Sequence, residues 1–287
     1  MFLARVECLV AWAVLFLDRI VLPESRSIAE QKIKISIITV CFNSAATVEE
    51  TIKSVAEQSH PDIEHIVVDG CSSDATMGIV DRHRARLAKV VSEPDRGIYD
   101  AMNKGLAMAS GEIIGFLNSD DLFADASSLA CVAKAFEDPT VDACYADLVY
   151  LGEHDQSKVV RYWKSRDYRK GLFNWGWMPA HPTFYVRRSV YERFGGFDLQ
   201  FNLQADFELT MRFLEVHRIK SLYIPKVLVK MRLGGATNRS LRNVLQGNLE
   251  AYRACKKHGL AVTPLFMVRK VLSRLPQFFA KPPVGLT

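Results

Sequence analysis

Asp120 and Asp121 stand side by side after the apolar run Gly115-Phe116-Leu117, in the segment Asn118-Ser119-Asp120-Asp121. Two adjacent carboxylates at the end of a buried strand repel each other and cost energy unless something compensates. A hard divalent cation does so, using carboxylate oxygens together with the diphosphate oxygens of a ligand. An Asx turn or the cap of a following helix explains the same residues without a metal, and the tetrapeptide alone leaves both readings open. Asp69 and Asp74 follow a second apolar run in Asp69-Gly70-Cys71-Ser72-Ser73-Asp74. An acid at such a strand end can bond a ribose hydroxyl or a base N–H, with plain turn chemistry as the alternative. Asp100, Asn103 and Lys104 fall within a helical turn or so of each other, after Asp95-Arg96-Gly97. There a solvated first turn with a dipole-favoured acid is the plainer account. Gln204-Ala205-Asp206-Phe207-Glu208-Leu209 sets two acids at i and i+2, which point different ways on a helix. One can enter a site while the other is structural, and an ordinary cap remains the alternative.

The elements that must position these residues alternate along the first half. Ile35 to Val40 is a short β-branched run of the kind found in buried parallel strands. Thr47-Val48-Glu49-Glu50 has capping-box spacing and predicts a helix to about Ser59. Ile63 to Val68 predicts the second strand, Ala75 to Leu87 a helix, and Val90-Val91 a short strand. Gly97 to Ala109 predicts a helix stopped by Ser110-Gly111 as a C-cap, and Glu112 to Leu117 the next strand. This alternation implies a mostly parallel, doubly wound sheet, in which ligands bind beyond the carboxyl ends of the strands. Asn43, Asp69, Asp74 and Asn118 to Asp121 all fall there. There is neither a G-x-G-x-x-G after the first strand nor a Walker lysine motif, so the sheet is not an obvious dinucleotide or P-loop binder.

The second half is less regular. Arg161 to Arg193 is basic and aromatic, with Trp163, Trp175 and Trp177 close together. Trp175 and Trp177 are candidates for an apolar wall against a sugar face, against the commoner use of tryptophan in cores. Asp206 to Val216 predicts a short amphipathic helix, and the chain after Gly234-Gly235 is helical to about His258. The segment Pro264 to Lys281 carries Arg269, Lys270, Arg274 and Lys281 and no acid. Its apolar face is Leu265, Phe266, Val268, Val271, Leu272 and Leu275, so it reads as a basic amphipathic helix able to lie in an anionic interface. A helix docked on the domain is the alternative.

Composition bounds the answer. With 49% hydrophobic and 24% charged residues, the 287-residue chain is globular, and can bury a sizeable core. A net charge of +5 is too mild to argue for nucleic-acid binding, and none is expected. The six cysteines form no C-x-x-C pair, so neither a zinc site nor a disulfide framework follows. The apolar stretch Cys8 to Leu17 is too short to span a bilayer, and residues 1–32 read as an amphipathic or disordered leader.

Taken in order, Ile37-Ile38-Thr39-Val40-Cys41-Phe42-Asn43, Val68 to Asp74, Asp95 to Gly105 and Asn118-Ser119-Asp120-Asp121 resemble family 2 inverting glycosyltransferases with the GT-A fold. Met178-Pro179-Ala180-His181-Pro182-Thr183-Phe184, Gly195-Gly196-Phe197-Asp198 and Ala205 to Leu209 strengthen the resemblance, which is to the bacterial exopolysaccharide and colanic-acid branch. It implies an α/β GT-A domain over residues 33–240, with a nucleotide-binding half (33–125) and an acceptor half (126–240), followed by a helical basic tail (241–287). It implies nucleoside contacts by Asp69 and Asp74 and donor or acceptor contacts by Asp100, Asn103 and His181. Trp177 and Glu208 join His181 as candidates for touching sugar. Asp120, assisted by Asp121, would bind Mg2+ or Mn2+, and Asp206 would be the catalytic base. Asn118 stands where relatives carry the first acid of a D-x-D motif, so this position brings no charge. The implied donor is a nucleotide-diphosphate sugar, a UDP-sugar first of all. The implied acceptor is a glycan or polyprenyl-diphosphate-linked sugar, handled in the cytoplasm with peripheral contact to the plasma membrane. The Q-x-x-R-W signature of processive synthases is absent, which implies one sugar per event. A metal-dependent nucleotidyltransferase and an inactive sugar-binding scaffold are the rival readings.

Overall fold

A computed structural model describes residues 33–152, 155, 158–232 and 241–280. The leader expectation, the Gly234-Gly235 break and Lys281 lie outside the described residues. From Ile33 onward the chain clusters as one compact unit.

A nine-stranded sheet runs in the order β3-β2-β1-β4-β8-β6-β9-β5, with β7 paired to β6. The first four of these are β1 (Ile35–Cys41), β2 (Ile63–Asp69), β3 (Lys89–Ser92) and β4 (Ile113–Phe116), and they are mutually parallel. Successive side chains of a strand face opposite sides of the sheet. Ile38, Val40, Ile66, Val68, Ile114 and Phe116 therefore enter one core, while Ile35, Ile37 and Ile113 enter another. Burial on both faces is why these runs read as continuously apolar. Each fully buried isoleucine contributes about 1.5–3 kcal/mol. Helices α1 (Val48–Ala56), α2 (Thr76–Arg82) and α3 (Ile98–Met108) make the crossovers. The strand order reverses between β1 and β4, which opens a crevice at the ends carrying Asn43 and Asn118.

The other half is mixed. β8 (Tyr185–Arg187) is antiparallel to β4 and to β6 (Ala143–Leu151). β9 (Ser221–Arg232) runs parallel to β6, and β5 (Asp121–Phe123) antiparallel to β9. β7 (Val159–Trp163) is antiparallel to β6. Helices α4 (Ser128–Ala135) and α5 (Arg188–Phe194) flank this half. α6 (Ala205–Met211) runs on into a wider π turn over Arg212–Val216, and α7 (Leu241–Lys257) and α8 (Leu265–Leu272) cover it. The α/β GT-A architecture expected from the sequence is the one observed, with the strictly parallel part confined to the first four strands.

Four local expectations are corrected. The capping box at Thr47 to Glu50 does not form: Thr47 makes no side-chain cap, and Glu50 is drawn away to the Arg232 guanidinium. Gly111 is not a left-handed C-cap. A side chain there would press on Ser36 Oγ at 2.6 Å and on its backbone N at 2.7 Å, so glycine is needed for close approach to β1. The helix expected from Ala75 to Leu87 breaks after Arg82 and continues as a 3-10 turn, Arg84–Arg86. The helix at Asp206 is not amphipathic: Ala205, Phe207, Glu208, Leu209, Thr210 and Met211 are all buried, because α7 and α8 cover the face that would have met water.

Candidate functional site

The loops beyond β1 and β2 are stitched together. Asn43 (φ 50°) and Cys71 (φ 61°) hold left-handed backbone, a conformation that non-glycine residues keep only where their surroundings enforce it. The Asn43 N–H donates to Ser72 Oγ (2.8 Å), and its side-chain oxygen accepts from the Ser73 N–H (2.9 Å). Asp69 is buried and accepts from the Ser72 N–H (2.9 Å), the Ser72 hydroxyl (2.5 Å) and the Ser92 hydroxyl (2.7 Å). Asp74 accepts from Thr76 N–H (2.9 Å), Thr76 hydroxyl (2.5 Å) and Ala45 N–H (3.1 Å), and the Thr76 hydroxyl holds its carboxyl below the usual range. Asp95 caps the Gly97 N–H (2.8 Å) and packs so tightly on Gly70 that a side chain there would strike its carboxylate. Both nucleoside candidates thus spend their oxygens on shaping the crevice rim.

The next two candidates also bond within the protein. Asp100 turns back to Arg96, accepting from its N–H (3.0 Å) and guanidinium (3.2 Å), whose side-chain bond lowers its carboxyl. Asn103 clips the Phe197 backbone with both of its amide groups: its nitrogen donates to Phe197 O (2.9 Å) and its oxygen accepts from Phe197 N–H (2.9 Å). Both amide groups of Asn103 are thereby engaged within the fold.

At the end of β4 the acids separate. Asp120 is partly exposed, whereas Asp121 begins β5 and is fully buried. Burial first, and then the charge of Asp120, pushes the Asp121 carboxyl well above its ordinary range. Its turn is closed by the Asp121 N–H to Asn118 O (3.0 Å). Asn118 Oδ1 and Asp121 Oδ1 are buried without a hydrogen-bond partner. Two orphaned oxygens behind an exposed carboxylate fit a hard cation. Among the described residues no three His, Cys, Asp or Glu side chains form a complete metal cluster. The protein would therefore supply only part of the coordination and leave the rest to phosphate oxygens or water.

Asp206 lies in the first turn of α6. Its Oδ1 accepts from the Phe207 N–H (2.8 Å) and from the Tyr99 hydroxyl (3.1 Å), and its Oδ2 lies 3.2 Å from His181 Nδ1. Burial, and then the Asp206 charge, raises the Tyr99 phenol well above its ordinary range, so it stays a donor. Tyr99 stacks on Phe197, with ring centroids 5.5 Å apart. Behind the carboxylate lies an apolar hollow lined by Met102, Phe116, Phe184, Phe197 and Leu209. Half-buried Asp206 therefore has one oxygen fixed by donors and the other beside an imidazole. That arrangement suits a carboxylate that takes a proton.

Tyr99 was not picked out from sequence, although its spacing carried the signal. Residues 99 and 103 share one face of α3 and meet the C-terminal half, while Asp100 and Lys104 share the face turned outward. Glu208 is corrected from a sugar contact. It is 1% exposed and bonds Arg212 Nε (2.8 Å) and His258 Nε2 (2.6 Å). Burial works to raise its carboxyl, yet these two partners hold it below the usual range. Trp177 is half-buried, stacked on Tyr168 and set edge-on to Tyr145 and Phe173, so it packs against the core of the C-terminal half. Trp175 is exposed, with the Arg269 guanidinium 4.4 Å above its ring. Lys270 is buried and donates to Gln204 Oε1, two residues before Asp206.

A family model described as glycosyl transferase family 2 matches residues 36–195. The chain is 35% identical over 184 residues to an uncharacterized glycosyltransferase of Mycobacterium tuberculosis, covering 62% of this chain and 68% of the relative. It is 29% identical over 208 residues to a PGL/p-HBAD biosynthesis glycosyltransferase of Mycobacterium bovis, covering 71% and 78%. Among solved structures, TarS residues 1–349 of S. aureus in complex with UDP superposes with a TM-score of 0.59 at 19% identity, covering 86% of this chain and 72% of that one. The mannosyltransferase PcManGT of Pyrobaculum calidifontis, in complex with GDP-Man and Mn2+, gives 0.60 at 22% identity, covering 85% and 69%.

Proposed function

The chain belongs to glycosyl transferase family 2, and from that premise we propose that it transfers one sugar, with inversion, from a nucleotide-diphosphate sugar to a hydroxyl of a glycan or polyprenyl-diphosphate-linked acceptor. The observation that carries this is Asp206, held by Tyr99 and faced by His181 at an apolar hollow that Phe116, at the end of β4, also lines. Asp206 takes the proton of the acceptor hydroxyl as that oxygen bonds to the anomeric carbon. The bond from that carbon to the diphosphate oxygen breaks in the same step, and the nucleoside diphosphate leaves. Asp120 and the Asn118 amide oxygen would hold Mg2+ or Mn2+, which supplies charge neutralisation for the leaving diphosphate. The loops bearing Asn43, Asp69, Asp74 and Asp95 shape the nucleoside end of the crevice.

The PGL/p-HBAD relative, and a 40% identical 90-residue match to a putative teichuronic acid biosynthesis glycosyltransferase of Bacillus subtilis, support a role in building bacterial cell-surface glycans. The UDP and GDP-Man complexes of the neighbours support a nucleotide-sugar donor, with UDP the first to try. The family match leaves the nucleotidyltransferase reading without support. Incubation with a panel of nucleotide sugars, Mn2+ and acceptor, followed by release of nucleoside diphosphate, tests the proposal. Asp206→Asn is expected to lower turnover about 10²- to 10⁴-fold, and normal turnover in that variant would sink the assignment of the base. An inactive scaffold would release nothing with any donor.

A further inference from the structure

The C-terminal helix is docked inside out. α8 buries Phe266 and Lys270, each 1% exposed, against the domain, and Lys270 Nζ lies 4.8 Å from the Phe207 ring centroid. Its outward stripe is Leu265, Val268 and Leu272, continued by Leu275 and Phe278 of the next turn. Leu265, Val268, Leu272 and Phe278 are between 51% and 58% exposed, and Phe279 is 83% exposed. The spacing 265, 268, 272, 275 is one helical face. A helix that only served the core would turn this stripe inward and leave its lysine in water.

The surroundings say what covers the stripe. Arg269 lies over the exposed Trp175 ring, and Arg274 follows on the same segment. The loop that leads to Trp175 exposes Lys164, Arg166, Arg169 and Lys170 against a single acid, Asp167. From Ala251 to the end of the chain there is no Asp or Glu. An apolar stripe with aromatic residues at its margin and a cationic rim complements an anionic lipid interface. A second copy of this chain would instead set one cationic rim against another.

We propose that the α8 stripe, the Leu275–Phe278 turn, Phe279 and Trp175 form a docking surface for an anionic phospholipid bilayer. This deepens the lipid-linked acceptor reading above and rests on it only for its purpose. The surface is also tied to the base: Lys270, on the inner face of the docking helix, holds Gln204 at the entrance to the helix that carries Asp206. A bilayer-borne acceptor would then meet the crevice on the side where the base sits.

The full-length protein is sedimented with phosphatidylglycerol/phosphatidylcholine vesicles and with phosphatidylcholine vesicles, without donor or acceptor. Binding is expected to the anionic vesicles only and to weaken with salt. Val268→Glu/Leu272→Glu and, separately, Phe279→Ser are expected to reduce it, the double variant about tenfold or more. Melting temperature and turnover on a soluble acceptor are expected to stay at wild-type values. Wild-type protein that ignores anionic vesicles overturns the proposal, as do variants that bind them undiminished. A wild-type dimer that the same variants split, without vesicle binding, overturns it in favour of self-association. Vesicle binding by a protein inactive on every donor would retain this surface and remove the transferase reading instead.

Discussion

In the parallel half of the sheet, Asp69, Asp74 and Asp100 bond N–H and O–H groups that lie mostly within a few residues of themselves. In the mixed half, Asp206 is met by Tyr99, 107 residues away, and by His181 from a different loop. Glu208 likewise finds His258 50 residues on. Local bonding gives rigid loops whose backbone and edges can receive a nucleoside. Long-range bonding places one carboxylate where three elements converge, which is where a proton can be moved.

The largest expected effect breaks the long-range side. Glu208→Ala would leave the largely covered Arg212 without its carboxylate, and removing one member of a buried pair costs up to about 3–5 kcal/mol. Urea unfolding measures this. A loss well under that range would mean that Arg212, which also bonds Gly196 O (2.6 Å) and Phe194 O, needs no carboxylate. On the local side the expected loss is smaller. Asp69→Ala strands the Ser72 N–H and the Ser92 hydroxyl, at about 1–3 kcal/mol. It should also weaken nucleotide binding by thermal shift, because the rim loses its shape. Equal losses in both variants would erase the contrast.

The parallel half was largely legible because β1, β2 and β4 are buried on both faces and are followed by polar residues, so apolar run and break coincide. The roles were harder to read. Asp69, Asp100 and Asn103 were recognisable as polar positions near strand and helix ends, but sequence could not say that their hydrogen bonds would be satisfied within the fold. Glu208 looked equivalent to Asp206, since only the docking of α7 decides which of two neighbouring acids is covered. Lys270 resembled Arg269 and Arg274, yet of these three it alone is buried.

Lys270 offers a test by pH. Burial pulls its amine down to about 7 from 10.5. The folded state therefore releases this proton before the unfolded state does. Stability owed to this residue is lowest below about pH 7 and rises as pH climbs from there toward 10.5. Lys270→Met removes that slope, and should stabilise by about 1 kcal/mol at pH 6 through loss of a buried charge. Melting curves at pH 6 and pH 9 measure it. A slope that survives the substitution would place its origin elsewhere.

The smallest expected effect separates geometry from packing at the base. Tyr99→Phe keeps the ring on Phe197 and deletes only the hydroxyl that donates to Asp206 (3.1 Å). One such bond contributes about 1 kcal/mol, so turnover should fall about 5-fold with donor KM unchanged and melting temperature only slightly lowered. Tyr99→Ala should add a loss of stability, because the ring contact goes as well. Wild-type turnover in Tyr99→Phe would mean that the Phe207 N–H and His181 suffice to orient Asp206. The base would then be set within its own helix and one loop, and the long-range bond that distinguishes the two halves would be a matter of folding alone.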